Sequence, residues 1–145
     1  AYLCGGSTED ACAYAAGERQ QQGQQDMKKV LVTGSRDWQD RTHIELCLRE
    51  FREPHLLING GARGADSLAA EIARSMGWPV ATFPALWHKD GRYRAGPIRN
   101  RRMFDTASLT SPIDVVLAFP LPKGSGTRDM MAYAISKGAV VIDCS

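Results

Sequence analysis

The chain has 145 residues, 43% of them hydrophobic and 23% charged, with a formal net charge of +2. That length suits one domain with a single substantial core, and the composition excludes global disorder and fibrous structure. The four cysteines form no Cys-x-x-Cys pair, no apolar run nears the roughly 18 residues of a membrane span, and no basic-then-apolar leader opens the chain, so a cytoplasmic protein without a membrane partner is expected.

Residues 1–26 are rich in Gly, Ala and Gln and carry few large apolar side chains, which reads as an N-terminal extension outside the core. A short helix from Thr8 to Gln22 is compatible with its good helix formers. Met27, directly before the first strand, is a candidate start for a folded domain spanning 27–145.

Val30-Leu31-Val32 is a continuous apolar run ending in Thr33-Gly34-Ser35-Arg36, the pattern of a strand buried on both faces and its βα turn. From Asp40 to Phe51, Ile44, Cys47, Leu48 and Phe51 recur at helical spacing until Pro54 stops the helix. Leu56–Ile58 predicts a second strand, which runs into the glycine-rich turn Asn59-Gly60-Gly61-Ala62-Arg63-Gly64. A helix follows over Ala65–Met76, with Leu68, Ile72 and Met76 four residues apart and Gly77 as its stop. Val80–Phe83 is the third strand.

Pro84–Gly96 is the least regular stretch and reads as a loop. A helix is predicted from Pro97, a favoured first-turn residue, to about Ala107. Val115–Phe119 is a fourth apolar strand, Pro120–Gly126 a second glycine turn, Thr127–Lys137 a helix, and Val140–Ile142 a fifth strand after Gly138. Strands alternating with helices imply βαβ crossovers. The fold expected is therefore α/β: a Rossmann-like three-layer sandwich with a five-stranded, mainly parallel sheet.

In such folds ligands bind outside the carboxyl ends of the strands. The turns carrying Gly34, Ser35 and Arg36, then Gly60, Gly61, Arg63, Gly64 and Asp66, then Lys123, Gly124, Ser125, Gly126 and Thr127 would all converge on that edge. Glycines let the backbone approach a ligand closely, and the N-terminus of each following helix favours an anion, so a phosphate cradle is expected. The alternative for these turns is tight chain reversal without a ligand. Asp66 has its own structural alternative, hydrogen-bonding the loop or favouring its helix start. Six basic residues (Lys89, Arg92, Arg94, Arg99, Arg101 and Arg102) against Asp90 make His88–Arg102 locally basic. Trp87 could stack a base or cap the core. Neither His43 nor His88 joins a nucleophile, and no carboxylate or histidine cluster has metal-ligand spacing, so neither a metal nor a cofactor is called for.

Four segments together resemble the SLOG superfamily, and within it the small bacterial and phage proteins related to YspA: Gly34-Ser35-Arg36-Asp37, Gly60-Gly61-Ala62-Arg63-Gly64-Ala65-Asp66, Ala95-Gly96-Pro97-Ile98-Arg99-Asn100, and Ala118-Phe119-Pro120 with Gly124-Ser125-Gly126-Thr127. The resemblance covers about Lys29 to Ile142. The superfamily includes Lonely Guy-type phosphoribohydrolases, the DNA-processing protein DprA, and modules that sense nucleotide or NAD-derived signals. In the phosphoribohydrolases an Arg on the helix before the fourth strand and a Glu just after a Pro-Gly-Gly-x-Gly-Thr loop are required. Arg99 matches that Arg, and Asp129 falls where the Glu would be. Here, however, the loop is longer and the carboxylate one methylene shorter.

The resemblance and the residues together leave three readings. The first is a nucleotide-class small-molecule binder, acting as a sensor or sequestering protein. The second is hydrolysis of a nucleotide's N-glycosidic bond, with Arg99 and Asp129 catalytic, Asp129 facing the oxocarbenium-like transition state or orienting its water. The third is single-stranded nucleic-acid binding, with Trp87 and Tyr93 as stacking groups, which the near-neutral net charge disfavours. Because superfamily members often associate, a homodimer is expected, without an identified interface.

Overall fold

The computed structural model of the chain describes residues 27–91 and 94–145, apart from the side chains of Trp87 and His88; the N-terminal extension, Arg92 and Tyr93 lie outside it. Among the described residues five strands form one sheet in the order β3-β2-β1-β4-β5, with every neighbouring pair parallel. The elements are β1 (Lys29–Gly34), α1 (Arg41–Arg49), β2 (Leu56–Asn59), α2 (Ala65–Ser75), β3 (Val80–Thr82), α3 (Trp87–Asp90), α4 (Ala95–Ala107), β4 (Val115–Phe119), α5 (Gly126–Ser136) and β5 (Val141–Asp143).

The continuous apolar runs became the centre of the sheet because only there is a strand covered on both faces. Val30, Leu31, Val32, Val116, Ala118 and Phe119 are almost wholly buried, and β1 pairs with β4 from Val30↔Val115 to Gly34↔Phe119. Side chains alternate across the sheet with period two. Val30, Val32, Leu57 and Phe119 therefore pack on one face with Ile44 and Leu48 of α1 and Ala69 and Ala73 of α2. Leu31, Ile58 and Val116 pack on the other face with Met103 and Phe104 of α4 and Met130 and Ala134 of α5. These are the three layers of the sandwich.

At the amino end of the strands the Lys29 ammonium is drawn inward, donating to the carbonyls of Ala107 at 2.6 Å and Ser111 at 3.1 Å, which ties the end of α4 to the start of β1.

Beyond shifts of one or two residues at other element ends, three differences from the sequence-based expectation have a local physical cause. Asp40 is not in α1 but caps it, accepting from the His43 amide at 3.0 Å. The stretch read as a loop from Pro84 to Gly96 contains α3, closed by the Lys89 and Asp90 amides on the Leu86 carbonyl. α4 begins at Ala95, so Pro97 is its third residue rather than its first. Proline is tolerated there because first-turn amides have no intrahelical acceptor to lose.

Candidate functional site

Strand order switches direction between β1 and β4, and the crevice outside the carboxyl ends of two such strands is where open α/β sheets take ligands. A cleft of about 420 Å³ opens there. Its walls are the β1–α1 turn (Thr33 to Asp37), Ala62, Arg63 and Asp66 at the start of α2, the first turns of α4, and the β4–α5 turn from Lys123 to Thr127.

Backbone hydrogen bonds lock these turns together: the Ser35 amide donates to Phe119 at 3.0 Å, and the Ala65 amide to Ser35 at 3.1 Å. Gly64 makes the second contact feasible. Its φ is +81°, and a side chain there would run into the carbonyl oxygens of Ser35 and Arg36. Gly60 admits a different neighbour, since a Cβ would collide with the Arg99 guanidinium, which donates to the Gly60 carbonyl.

Three helices point their N-termini at the cleft. Their N-cap residues are Gly64 for α2, Arg94 for α4 and Ser125 for α5, and none of the three makes a side-chain capping bond. A helix start carries partial positive charge on amides without intrahelical partners. Arg36, Arg63, Arg99 and Lys123 add cationic side chains to the same walls, against the carboxylates of Asp37 and Asp66. The Asp37–Arg63 pair, 3.6 Å apart and exposed on both sides, neutralises little of this.

Polar groups are built into the floor. Asp66, only 4% exposed, accepts through Oδ2 from the amides of Gly60 at 3.0 Å and Ala62 at 3.4 Å. Burial pushes its carboxyl up to about 6, although the nearby Arg99 and Arg36 charges and the two amides pull the other way. Burial also lowers the Arg99 guanidinium from its ordinary value, against the pull of Asp66. Arg99 Nε donates to Asn100 Oδ1 at 2.9 Å, and Asn100 Nδ2 reaches the Gly126 carbonyl at 3.3 Å and Asp129 Oδ2 at 3.5 Å.

The cleft thus gathers Gly34, Ser35, Arg36, Arg63, Asp66, Arg99, Lys123, Gly124, Ser125, Gly126 and Thr127. Gly60 and Gly61 line an adjoining cleft of about 370 Å³ that shares Arg36, Arg63 and Arg99 with the first. Gly64 lines neither and acts as the spacer between two turns. Asp129 also stands outside both linings, its carboxylate held by the Arg101 guanidinium at 3.3 Å. The Trp87 side chain lies outside the described residues.

Asn100 is a buried polar residue of the site that the sequence reading left out of the candidates. Gly96, Asn100 and Met103 follow one another at helical spacing along the cleft face of α4, a pattern in which a buried asparagine is the signal. Among the described residues no three His, Cys, Asp or Glu side chains are grouped to hold a metal ion.

The family model for YspA, cpYpsA-related SLOG proteins matches residues 28–89. The "Gene 61 protein" of Mycobacterium phage D29 is 39% identical over 126 residues, covering 81% of this chain and 96% of that protein. The chain belongs to the YspA-related SLOG family. Solved structures place this SLOG domain among distant relatives in fold. DNA processing protein A (DprA) from Streptococcus pneumoniae superposes with a TM-score of 0.68 at 17% identity over 83% of this chain, which spans about half (51%) of DprA. The protein TM1055 superposes with a TM-score of 0.58 at 20% identity, over 79% of this chain and 72% of its own. Among the described residues of the SLOG domain, no helix is long and apolar enough to cross a membrane.

Proposed function

We propose that the cleft between β1 and β4 binds the phosphate of a nucleotide or nucleotide derivative, and that the protein acts as a module that senses or sequesters this ligand. One observation carries the reading. Three helix starts without side-chain caps and the side chains of Arg36, Arg63, Arg99 and Lys123 face a single concavity of about 420 Å³, a size suited to a small organic anion. SLOG membership supports a nucleotide-related role in general.

A thermal-shift screen against nucleotides, dinucleotides and nucleotide sugars tests it, with each stabilising compound recovered and weighed by mass spectrometry. Recovery of an intact ligand is the expected result. A ligand present at a hundred times its Kd should add roughly 2.7 kcal/mol of stability. A flat screen rejects the phosphate cradle, and binding confined to oligonucleotides with steep salt dependence replaces it with a nucleic-acid interface.

A second reading rests on the hydrogen-bonded path from Arg99 through Asn100 to Asp129. Hydrolysis of an N-glycosidic bond would use Asp129 against the developing positive charge of the sugar and Arg99 on the phosphate or departing base. Asp129 is engaged by Arg101 and lies off the cleft wall, so simple binding demands less rearrangement than catalysis. Free adenine released from AMP, and lost in Asp129→Asn, would establish the enzyme.

A further inference from the structure

The two oxygens of Asp66 are treated differently by the fold. Oδ2 is used inside the loop, where it accepts from the Gly60 and Ala62 amides. Oδ1 is buried and has no hydrogen-bond partner. Arg99 and Arg36 are close enough to act on Asp66 through their charge, yet neither donates to Oδ1. A buried carboxylate oxygen without a donor is costly, and such an atom calls for an explanation. Asp66 is itself part of the cleft wall.

Above about pH 6, where Asp66 is ionised, an anion alone cannot supply what Oδ1 lacks. Ionised phosphate oxygens are acceptors, and a phosphate placed beside a carboxylate would be repelled by it. The helix starts and the arginines nevertheless favour an anion in this same cleft. Both demands are met by one ligand that carries a negative group for the helix starts and, a few bonds away, a hydroxyl for the carboxylate.

Building on the phosphate-binding reading, we infer that Asp66 Oδ1 accepts a hydrogen bond from a sugar hydroxyl of the bound ligand, making Asp66 the residue by which the cleft selects ribosyl phosphates over deoxygenated ones. Oδ2 holds the carboxylate in place through the loop amides, so Oδ1 keeps a fixed position, and because Oδ1 is buried the ligand reaches it by displacing the wall over it. The Gly60–Ala62 turn and the sugar are thereby read by the same side chain. Binding in the cleft would tighten the loop that also carries Arg63.

Calorimetric titration of the full chain with the four ribonucleoside 5′-monophosphates, their 2′,3′-dideoxy counterparts and inorganic phosphate decides the matter. For the nucleotide that binds, the dideoxy form is expected to bind about tenfold or more weakly, the usual consequence of leaving a charged acceptor without its donor. Asp66→Asn keeps one oxygen for the loop amides and replaces the other with a donor. In that variant the ribo-to-dideoxy ratio is expected to fall to about twofold or less. Equal affinity of wild-type protein for ribo and dideoxy forms overturns the role of Asp66 while leaving phosphate binding intact. Binding of none of the probes overturns the role of Asp66, and the wider screen of dinucleotides and nucleotide sugars then decides the phosphate-binding reading. If Asp66→Asn does not fold, the wild-type series alone still gives the answer, because the hydroxyl is then removed from the ligand rather than its acceptor from the protein.

Discussion

At the start of α1 the Asp40 carboxylate accepts from the His43 amide, whereas the starts of α2, α4 and α5, under Gly64, Arg94 and Ser125, have no capping side chain. All four helices face the same physical requirement, since their first amides have no intrahelical acceptor. α1 meets it internally. The other three meet at the cleft and leave their positive ends facing it, with arginines alongside. The difference separates a helix start capped by its own side chain from helix starts that face a cleft uncapped, which on the proposed function an anion would complete.

Breaking the uncapped side should have the largest effect. Gly64→Ala forces a side chain onto a residue at φ +81° and into the carbonyls of Ser35 and Arg36. Backbone strain and overpacking together should cost roughly 4 kcal/mol, read as a lowered urea midpoint, and ligand binding should be lost with it.

The carboxylate beneath the cleft comes next. Asp66 is raised from an ordinary 3.8 to about 6, so the folded state holds its proton at a pH where the unfolded chain has released it. Its contribution is present in full below pH 4 and is lost as pH rises through about 6. Burial sets the rise, and the Arg99 and Arg36 charges and the Gly60 and Ala62 amides oppose it. Unfolding of wild type and Asp66→Asn at pH 4, 5, 6 and 7 should show the wild type losing about 2.4 kcal/mol relative to the variant across that window. A difference that grows with pH would reverse the sign and refute the assignment.

Breaking the capped side should cost less and leave the cleft alone. Asp40→Ala is expected to lower stability by about 1 kcal/mol, with nucleotide affinity unchanged by calorimetry. The smallest effect sharpens the contrast. Ser125 has helical backbone angles, φ −94° and ψ −18°, instead of the extended ones from which a cap side chain reaches back to the first turn. Ser125→Asp should therefore act through the helix dipole only. It should raise stability by about 0.5 kcal/mol while weakening phosphate binding, two opposite shifts measured on one variant.

Much of this was legible in the sequence where local signals and tertiary environment agree. The apolar runs of β1 and β4 are central strands because nothing but burial on both faces suits Val30–Val32 and Val115–Phe119. The glycine turns that follow them could be placed at one edge from the alternation of elements alone. What was not legible depends on packing between helices distant in sequence. Asp129 sits where a superfamily carboxylate was expected, but α4 packs against α5 so that Arg101 engages it. Asn100 looked like an ordinary helix residue until its amide spanned Gly126 and Asp129. α3 lies in a stretch whose residues, from Trp87 to Asp90, show no apolar repeat long enough to mark a helix.

The wall that divides the two clefts is made of Arg36, Ala62, Arg63 and Arg99, and both sides draw on the same guanidinium groups. Positive charge neutralised from one side is no longer available to the other. Two separate anions, one on each side, would therefore antagonise each other, and by linkage each would weaken the other by the same factor. A single molecule reaching over the wall would escape that penalty, because one charge would serve both halves of its contact.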